Sequence, residues 1–332
     1  MNPIAIIFDK YEISWALILI VMSVLVWFFF VGALYPSGKK GRGVLWLYLP
    51  LSVAFSFFFA RLIYWYSHQS SFDGFGSALK SGDLSAFALL GILFGLVLSA
   101  GLLRLVRLVR DLPMFLDLIT PPTLLALGLF SLTCLFGDSC RGKTIITAPA
   151  FCRLPFSIAT LNQQGETEYR FATFFVAFLL LTVLSFVGLI FYLRHKQQKG
   201  STACFCLILF SGSEFVLEST RYDAGYFPAN GFVSILQIAA AVFIVGVTVY
   251  FSFFAKKNTV SIKKMIPFWV LLLLSMGATG YLEYLVQRHG DKAVPIHFGM
   301  CLSVLGMVAF PCVLFYMAYR NLTKTSEKKE EE

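Results

Sequence analysis

The sequence predicts an all-α polytopic membrane protein of about nine transmembrane helices, with the N-terminus outside and the C-terminus inside. Composition comes first: of 332 residues, 58% are hydrophobic and 14% charged, with mean hydropathy +0.77. Soluble domains average roughly 45–50% apolar and about 25% charged. The second observation is a series of nine apolar runs near the ~20 residues that a helix needs to cross a bilayer. The third is that basic residues collect in alternate connections between those runs, as the positive-inside rule requires.

Residues 13–34 form the first run and contain no charge. The run is too long for a signal-peptide core and no basic segment precedes it, so it is read as a retained helix. Residues 44–66 follow, with Arg61 near the far end, and 84–103 make the third helix. The fourth, 114–136, holds Pro121-Pro122, which predicts a kink or local break because proline removes an N–H and clashes with the preceding turn. The remaining runs are 171–193, 201–217, 232–254, 266–285 and 298–319. The end of the chain, 323–332, is charged and reads as a solvated, disordered tail.

Charge sorts the connections into two sides. One side holds 17 basic residues, among them Lys39, Arg104, Arg107, Arg110, Lys199 and Lys256, and the other holds 9, including Arg141, Lys143 and Arg221. The net charge of +9 is therefore a topology signal and excludes a nucleic-acid surface. The seven cysteines show no CxxC or Cys/His spacing, so neither a metal nor a cofactor is expected. Cys140 and Cys152 share the long connection 137–170, which leaves a disulfide between them open.

Four charged residues end the sixth run, at Ser213-Glu214-Phe215-Val216-Leu217-Glu218-Ser219-Thr220-Arg221-Tyr222-Asp223. Glu214, Glu218 and Arg221 are spaced i, i+4, i+7 and share a helix face. Charges in a membrane helix are costly unless paired or facing a wet cavity, so the cluster is either a functional site or an interfacial anchor. The predicted topology puts Arg61, Tyr64, Arg141, Lys143 and Arg221 at one membrane boundary. A cationic pocket at that depth suits a lipid phosphate, because Arg binds it bidentately and Lys adds a point charge. For Arg61 alone, snorkelling to the interface is the alternative.

Several segments resemble the bacterial prolipoprotein diacylglyceryl transferases. Asp117-Leu118-Ile119-Thr120-Pro121, followed by Cys134-Leu135-Phe136-Gly137-Asp138-Ser139-Cys140-Arg141-Gly142-Lys143, resembles that family's signature region. Phe215 to Asp223, then Gly231-Phe232-Val233 and Gln237, resembles its later Glu/Arg motif. Phe59-Ala60-Arg61-Leu62-Ile63-Tyr64 is similar to its Gly-Arg-x-x-Tyr segment, and Ser14-Trp15 to its early helix start. The match is colinear over about 12–258.

The resemblance implies a seven-helix core over 1–258; the two additional helices and the charged cytoplasmic tail over 259–332 lie outside it. It implies transfer of a diacylglyceryl group from phosphatidylglycerol to a lipoprotein-precursor cysteine, on the outer face of the bacterial inner membrane. The resemblance assigns Arg221, Glu218 and Lys143 to catalysis and Arg61, Tyr64, Arg141, Gly142 and Asp223 to lipid binding. The family's His-Gly-Gly is replaced by Leu89-Leu90-Gly91, its Gly-Arg pair by Phe130-Ser131, and an Arg before the Glu motif by Glu214. The active site is thus expected to be degenerate, and His68, one turn past Tyr64, is the candidate base. Two other readings stand: a non-catalytic lipid-binding protein derived from that family, and a small-solute transporter, which the absence of internal repeats counts against.

Overall fold

The computed structural model describes residues 4–8, 11–35, 39–81, 87–137, 140–161, 164–194, 198–226, 231–258, 260–289 and 293–331. Among these residues, eight helices are long and apolar enough to cross a membrane, and Leu89–Leu105 is a shorter apolar one. The fold is all-α and polytopic, with short strand pairs only at its margins.

The chain divides into two compact units. The first comprises Met1–Cys206 and Thr220–Gly231, the second Leu207–Ser219 and Phe232–Glu332. The first opens with a hairpin of β1 (Ile4–Phe8) and β2 (Tyr11–Ser14), which the apolar run Ile4-Ala5-Ile6-Ile7-Phe8 does not announce as a strand. Helix α1 (Trp15–Leu34) starts at Ser14, whose Oγ accepts from the Leu17 N–H at 3.2 Å and satisfies one of the helix's orphan donors.

Helix α2 (Lys39–Ser67) continues through Pro50, is followed by the short α3 (Phe75–Lys80), and packs along α4 (Leu89–Leu105). Small residues set that contact. A Cβ on Gly91 would lie 2.4 Å from the Ala60 Cα, and one on Gly95 would lie 2.4 Å from the Ser56 N. Two helix backbones approach this closely only where both present small residues four apart, as Gly91/Gly95 and Ser56/Ala60 do. This packing holds the end of α2, and with it Arg61, beside the start of α4.

Helix α5 (Leu112–Ser131) runs through Pro121 and Pro122 without a break and tightens to a 3-10 turn at Leu132–Phe136. Both prolines are buried, and Ser185 of α7 (Thr173–Arg194) donates its hydroxyl to the Pro121 carbonyl at 2.7 Å. Tertiary packing thus overrides the local breaker. The connection after α5 is not a bare loop. It contains α6 (Pro149–Cys152) and a hairpin of β3 (Ser157–Leu161) with β4 (Thr167–Phe171).

Helix α8 (Ser201–Thr220) begins against α5. Asp117, buried in α5, accepts from the Gly200 N–H at 2.6 Å and the Ala203 N–H at 2.8 Å, so a carboxylate from one helix caps the N-terminus of another. A charge-assisted bond contributes about 1.5–3 kcal/mol, so Asp117→Ala is expected to cost about 3 kcal/mol of unfolding free energy. Asp117→Asn, which keeps one acceptor, should cost less than half as much. Unfolding of the purified protein in detergent checks both.

The second unit contains Leu207–Ser219 of α8 with α9 (Ile235–Lys257), α10 (Ile262–His289) and α11 (Ala293–Glu331). Its core is Phe215, Ala240, Ile244, Leu272, Met300 and Met307. Gln237 of α9 donates to the Phe215 carbonyl at 3.2 Å, and α10 and α11 pack as a pair. Helix α11 runs on into the charged tail as far as Glu331, where the sequence predicts disorder. Lys and Glu are good helix formers, which accounts for the extension.

Candidate functional site

One strand-like crossing organises the polar end of the first unit. After the 3-10 turn, the backbone of Arg141-Gly142-Lys143 runs antiparallel to that of Thr220-Arg221-Tyr222. The Tyr222 N–H donates to the Arg141 carbonyl at 2.7 Å and the Lys143 N–H to the Thr220 carbonyl at 2.8 Å, with Gly142 opposite Arg221. The Gly142 N–H donates to the Phe171 carbonyl at 2.7 Å, so Gly142 is held between the end of β4 and the chain leaving α8. A Cβ there would lie 2.7 Å from the Phe171 Cβ and 2.8 Å from the Phe171 oxygen. Gly142→Ala must push one backbone aside. Overpacking of this kind costs about 1–3 kcal/mol, and thermal unfolding should show the loss.

The other predicted residues are placed around this crossing. Lys143 donates its Nζ to the Tyr226 hydroxyl at 3.0 Å, with the ammonium 5.7 Å from the Tyr226 ring centre. Arg141 turns back, its Nη2 donating to the Gly137 carbonyl at 2.8 Å. Asp223 accepts the Cys140 N–H on Oδ2 at 2.8 Å, so this carboxylate fastens the loop that carries Arg141 and Lys143. Arg221 is 8% exposed.

Arg61 does not snorkel; it is 1% exposed. Its guanidinium carbon lies 4.3 Å from the Phe87 ring centre and 5.8 Å from that of Phe57, and its Nη2 donates to the Ser81 carbonyl at 3.2 Å. A cation at a membrane boundary can reach water through its long stem. Here the Phe57 and Phe87 faces and a backbone carbonyl hold it inside instead.

Tyr64, in the last turn of α2, stacks with His68 just past the helix end, ring centres 4.2 Å apart at 14°. The His68 Nδ1 lies 3.1 Å from the Tyr64 carbonyl and 2.9 Å from the Ser67 hydroxyl. With the Nδ1 proton on that carbonyl, Nε2 is the ring's acceptor. The loop after α8 comes close to this turn, since a Cβ on Gly225 would meet the Ser67 Oγ at 3.0 Å. The crossing and the end of α2 are therefore neighbours within one unit.

Beneath Arg61 lies a cavity of about 290 Å³, walled by Trp27, Ser56, Phe57, Phe87, Thr123 and Phe130 among others. Its lining comes from α1, α2, α4 and α5 and from Phe87 just before α4, and it is almost wholly apolar. Phe57 and Phe87 form part of this wall and also face the Arg61 guanidinium. Sequence reasoning missed the cavity because its walls come from four separate apolar runs. Phe130, in place of the family's Gly-Arg pair, was the one signal of an apolar wall.

In the second unit, Glu214 and Glu218 are both buried on α8, at 0% and 4% exposure. Among the described residues, no group of three or more His, Cys, Asp or Glu side chains could hold a metal ion.

All seven cysteines are free thiols. Cys140 packs against Cys134, and the Cys152 Sγ donates to the Ile146 carbonyl at 3.5 Å. The hydrogen bond to Cys134 leads the causes that push the Cys140 thiol well above its ordinary range, with burial next. A thiol so raised is a poor nucleophile at neutral pH. Cys140 is expected to stay unlabelled by iodoacetamide at pH 7.5 in the folded protein and to label after unfolding.

The sequence model of the prolipoprotein diacylglyceryl transferase family matches residues 3–253, about three quarters of the chain. No curated protein matches the chain.

Proposed function

We propose, from the premise that the chain belongs to the prolipoprotein diacylglyceryl transferase family, that it moves a diacylglyceryl group from phosphatidylglycerol to the cysteine thiol of a lipoprotein precursor. The observation that carries this reading is the backbone pairing of Arg141-Gly142-Lys143 with Thr220-Arg221-Tyr222. It joins the two expected motif segments at the backbone, one carrying Arg141 and Lys143 and the other Arg221, with Gly142 opposite Arg221. In the reaction, the carbon–oxygen bond between diacylglyceryl and phosphate breaks, a carbon–sulfur bond forms, and glycerol phosphate leaves. Negative charge grows on the departing phosphate, and fixed cations in a water-poor site stabilise that charge most.

Arg221 and Lys143 take this role, with Lys143 held by Tyr226. Arg61 and Tyr64 support the lipid side. The thiol proton goes to His68 Nε2, just past the helix turn that meets the Gly225 loop. In the sequence motif Glu218 stands three residues before Arg221. The apolar cavity under Arg61 suits an acyl chain, with the guanidinium nearest the head group. The site faces the outer side of the bacterial inner membrane, in keeping with the distribution of basic residues between the connections.

The same cavity favours a second reading, a lipid-binding protein without transfer activity. Phe130 walls it where the family's pattern has a Gly-Arg pair, and Leu89-Leu90-Gly91 stands in place of His-Gly-Gly. Incubating the purified protein with phosphatidylglycerol and a lipobox peptide separates the two. Transfer predicts a peptide heavier by one diacylglyceryl group and release of glycerol phosphate. Lipid retained by the protein over an unmodified peptide supports binding alone.

A further inference from the structure

At the other end of α4 and α5 the chain turns through three arginines. Helix α4 has 17 residues, which separates this turn from the start of the helix by about 25 Å at 1.5 Å per residue. The Leu108 and Val109 N–H groups both donate to the Leu103 carbonyl, at 2.9 and 3.2 Å, and Arg107 adopts φ 62°. That left-handed position after a helix is ordinarily taken by Gly. Arg104 fixes the turn from within, donating to the carbonyls of Val109 and Arg110.

Arg104, Leu105, Arg107 and Arg110 line one open hollow of about 650 Å³. Three guanidinium groups around one hollow repel each other. Asp111, the carboxylate that follows them in the chain, is already engaged, since it pairs with Lys199 at 2.5 Å. The Lys199 hydrogen bond, ahead of all other causes, holds the Asp111 carboxyl below its ordinary range and hence ionised. The group Arg104, Arg107, Arg110, Asp111 and Lys199 therefore carries an excess of three positive charges. Beside it, Leu105 and Val106 are 76% and 62% exposed. A ligand that satisfies both features has a multi-oxygen anion next to a hydrocarbon body. Guanidinium forks match phosphate oxygens, and exposed apolar side chains at a membrane boundary match acyl chains.

We propose that the turn from Arg104 to Arg110 binds the phosphate of an anionic glycerophospholipid, at the end of α4 and α5 opposite the transfer site. Arg107 and Arg110 grip the phosphate, Arg104 shapes the turn, and Leu105 and Val106 lie along the acyl chains. This site does not depend on the transferase reading, and its test does not use transfer as a readout.

Full-length protein in a neutral detergent is titrated with phosphatidylglycerol, with phosphatidylcholine of the same chains, and with inorganic phosphate. Bound lipid is counted by native mass spectrometry, and thermal unfolding is followed in parallel. Phosphatidylglycerol is expected to bind and stabilise, while phosphatidylcholine and inorganic phosphate should not. The double variant Arg107→Gly with Arg110→Gln should hold one phosphatidylglycerol at least about tenfold more weakly, since it loses two charge-assisted contacts. Arg107→Gly suits a φ of 62°, so alone it should unfold no earlier than the wild type without lipid, and still lose affinity. Unchanged phosphatidylglycerol binding by these variants overturns the proposal, as does equal binding of phosphatidylcholine. Equal stabilisation by inorganic phosphate overturns the lipid assignment.

Discussion

Arg221→Ala is expected to lower diacylglyceryl transfer by about 10²–10³-fold, the usual cost of removing one preorganised group that stabilises charge in a transition state. The side chain is 8% exposed, and its backbone is paired to the segment that carries Lys143. A cation placed there is held before substrate arrives, so little reorganisation is needed when charge develops on phosphate. Arg221→Lys keeps the charge and loses the bidentate fork, so it should recover only part of the rate. The backbone bonds of Thr220 and Tyr222 do not involve the Arg221 side chain, so both variants should retain the crossing. Initial rates with phosphatidylglycerol and a lipobox peptide give the comparison, and unfolding temperatures confirm that the fold persists.

Arg61→Ala is expected to destabilise the protein by about 3 kcal/mol, through the void left between the two rings and the loss of the partner to a carbonyl. An exposed snorkelling arginine would cost within about 0.5 kcal/mol, so the measurement separates the two placements decisively. Arg61 is 1% exposed, its guanidinium beside Phe57 and Phe87, with the Ser81 carbonyl accepting from its Nη2. Arg61→Lys should fall between, keeping a charge over the Phe87 ring without the planar group. Chemical unfolding in detergent, with phosphatidylglycerol absent, isolates this term from lipid binding.

Much of the fold is legible in the sequence, because a bilayer demands long apolar runs and these are visible one residue at a time. Each of the nine expected runs corresponds to a helix, although the first begins at Trp15 behind a Ser14 cap that the apolar run alone does not mark. What escapes is whatever depends on a partner far along the chain. The β3–β4 hairpin lies in a stretch rich in polar residues, where the alternation of Glu168, Tyr169, Arg170 and Phe171 is too short to mark a strand by itself. The Asp117 carboxylate belongs to the expected signature region, yet its role as a cap for α8 rests on Gly200 and Ala203, more than 80 residues later.

The candidate site shows the same division. Lys143 and Arg221 could be named from motifs, while their backbone crossing needed Gly142 to fit between Phe171 and Arg221. Asp223 reads as a lipid contact in the sequence, and the structure gives one of its oxygens the Cys140 N–H. Arg61 could be read as a snorkelling residue until the positions of Phe57 and Phe87 were known.

The most direct test of the central claim is complementation of a bacterial strain depleted of its own prolipoprotein diacylglyceryl transferase. The wild-type chain should restore growth and the lipid modification of a reporter lipoprotein, while Arg221→Ala and Lys143→Ala at equal membrane levels should not. A wild-type chain that is abundant in the membrane yet leaves the reporter unmodified would contradict transferase activity.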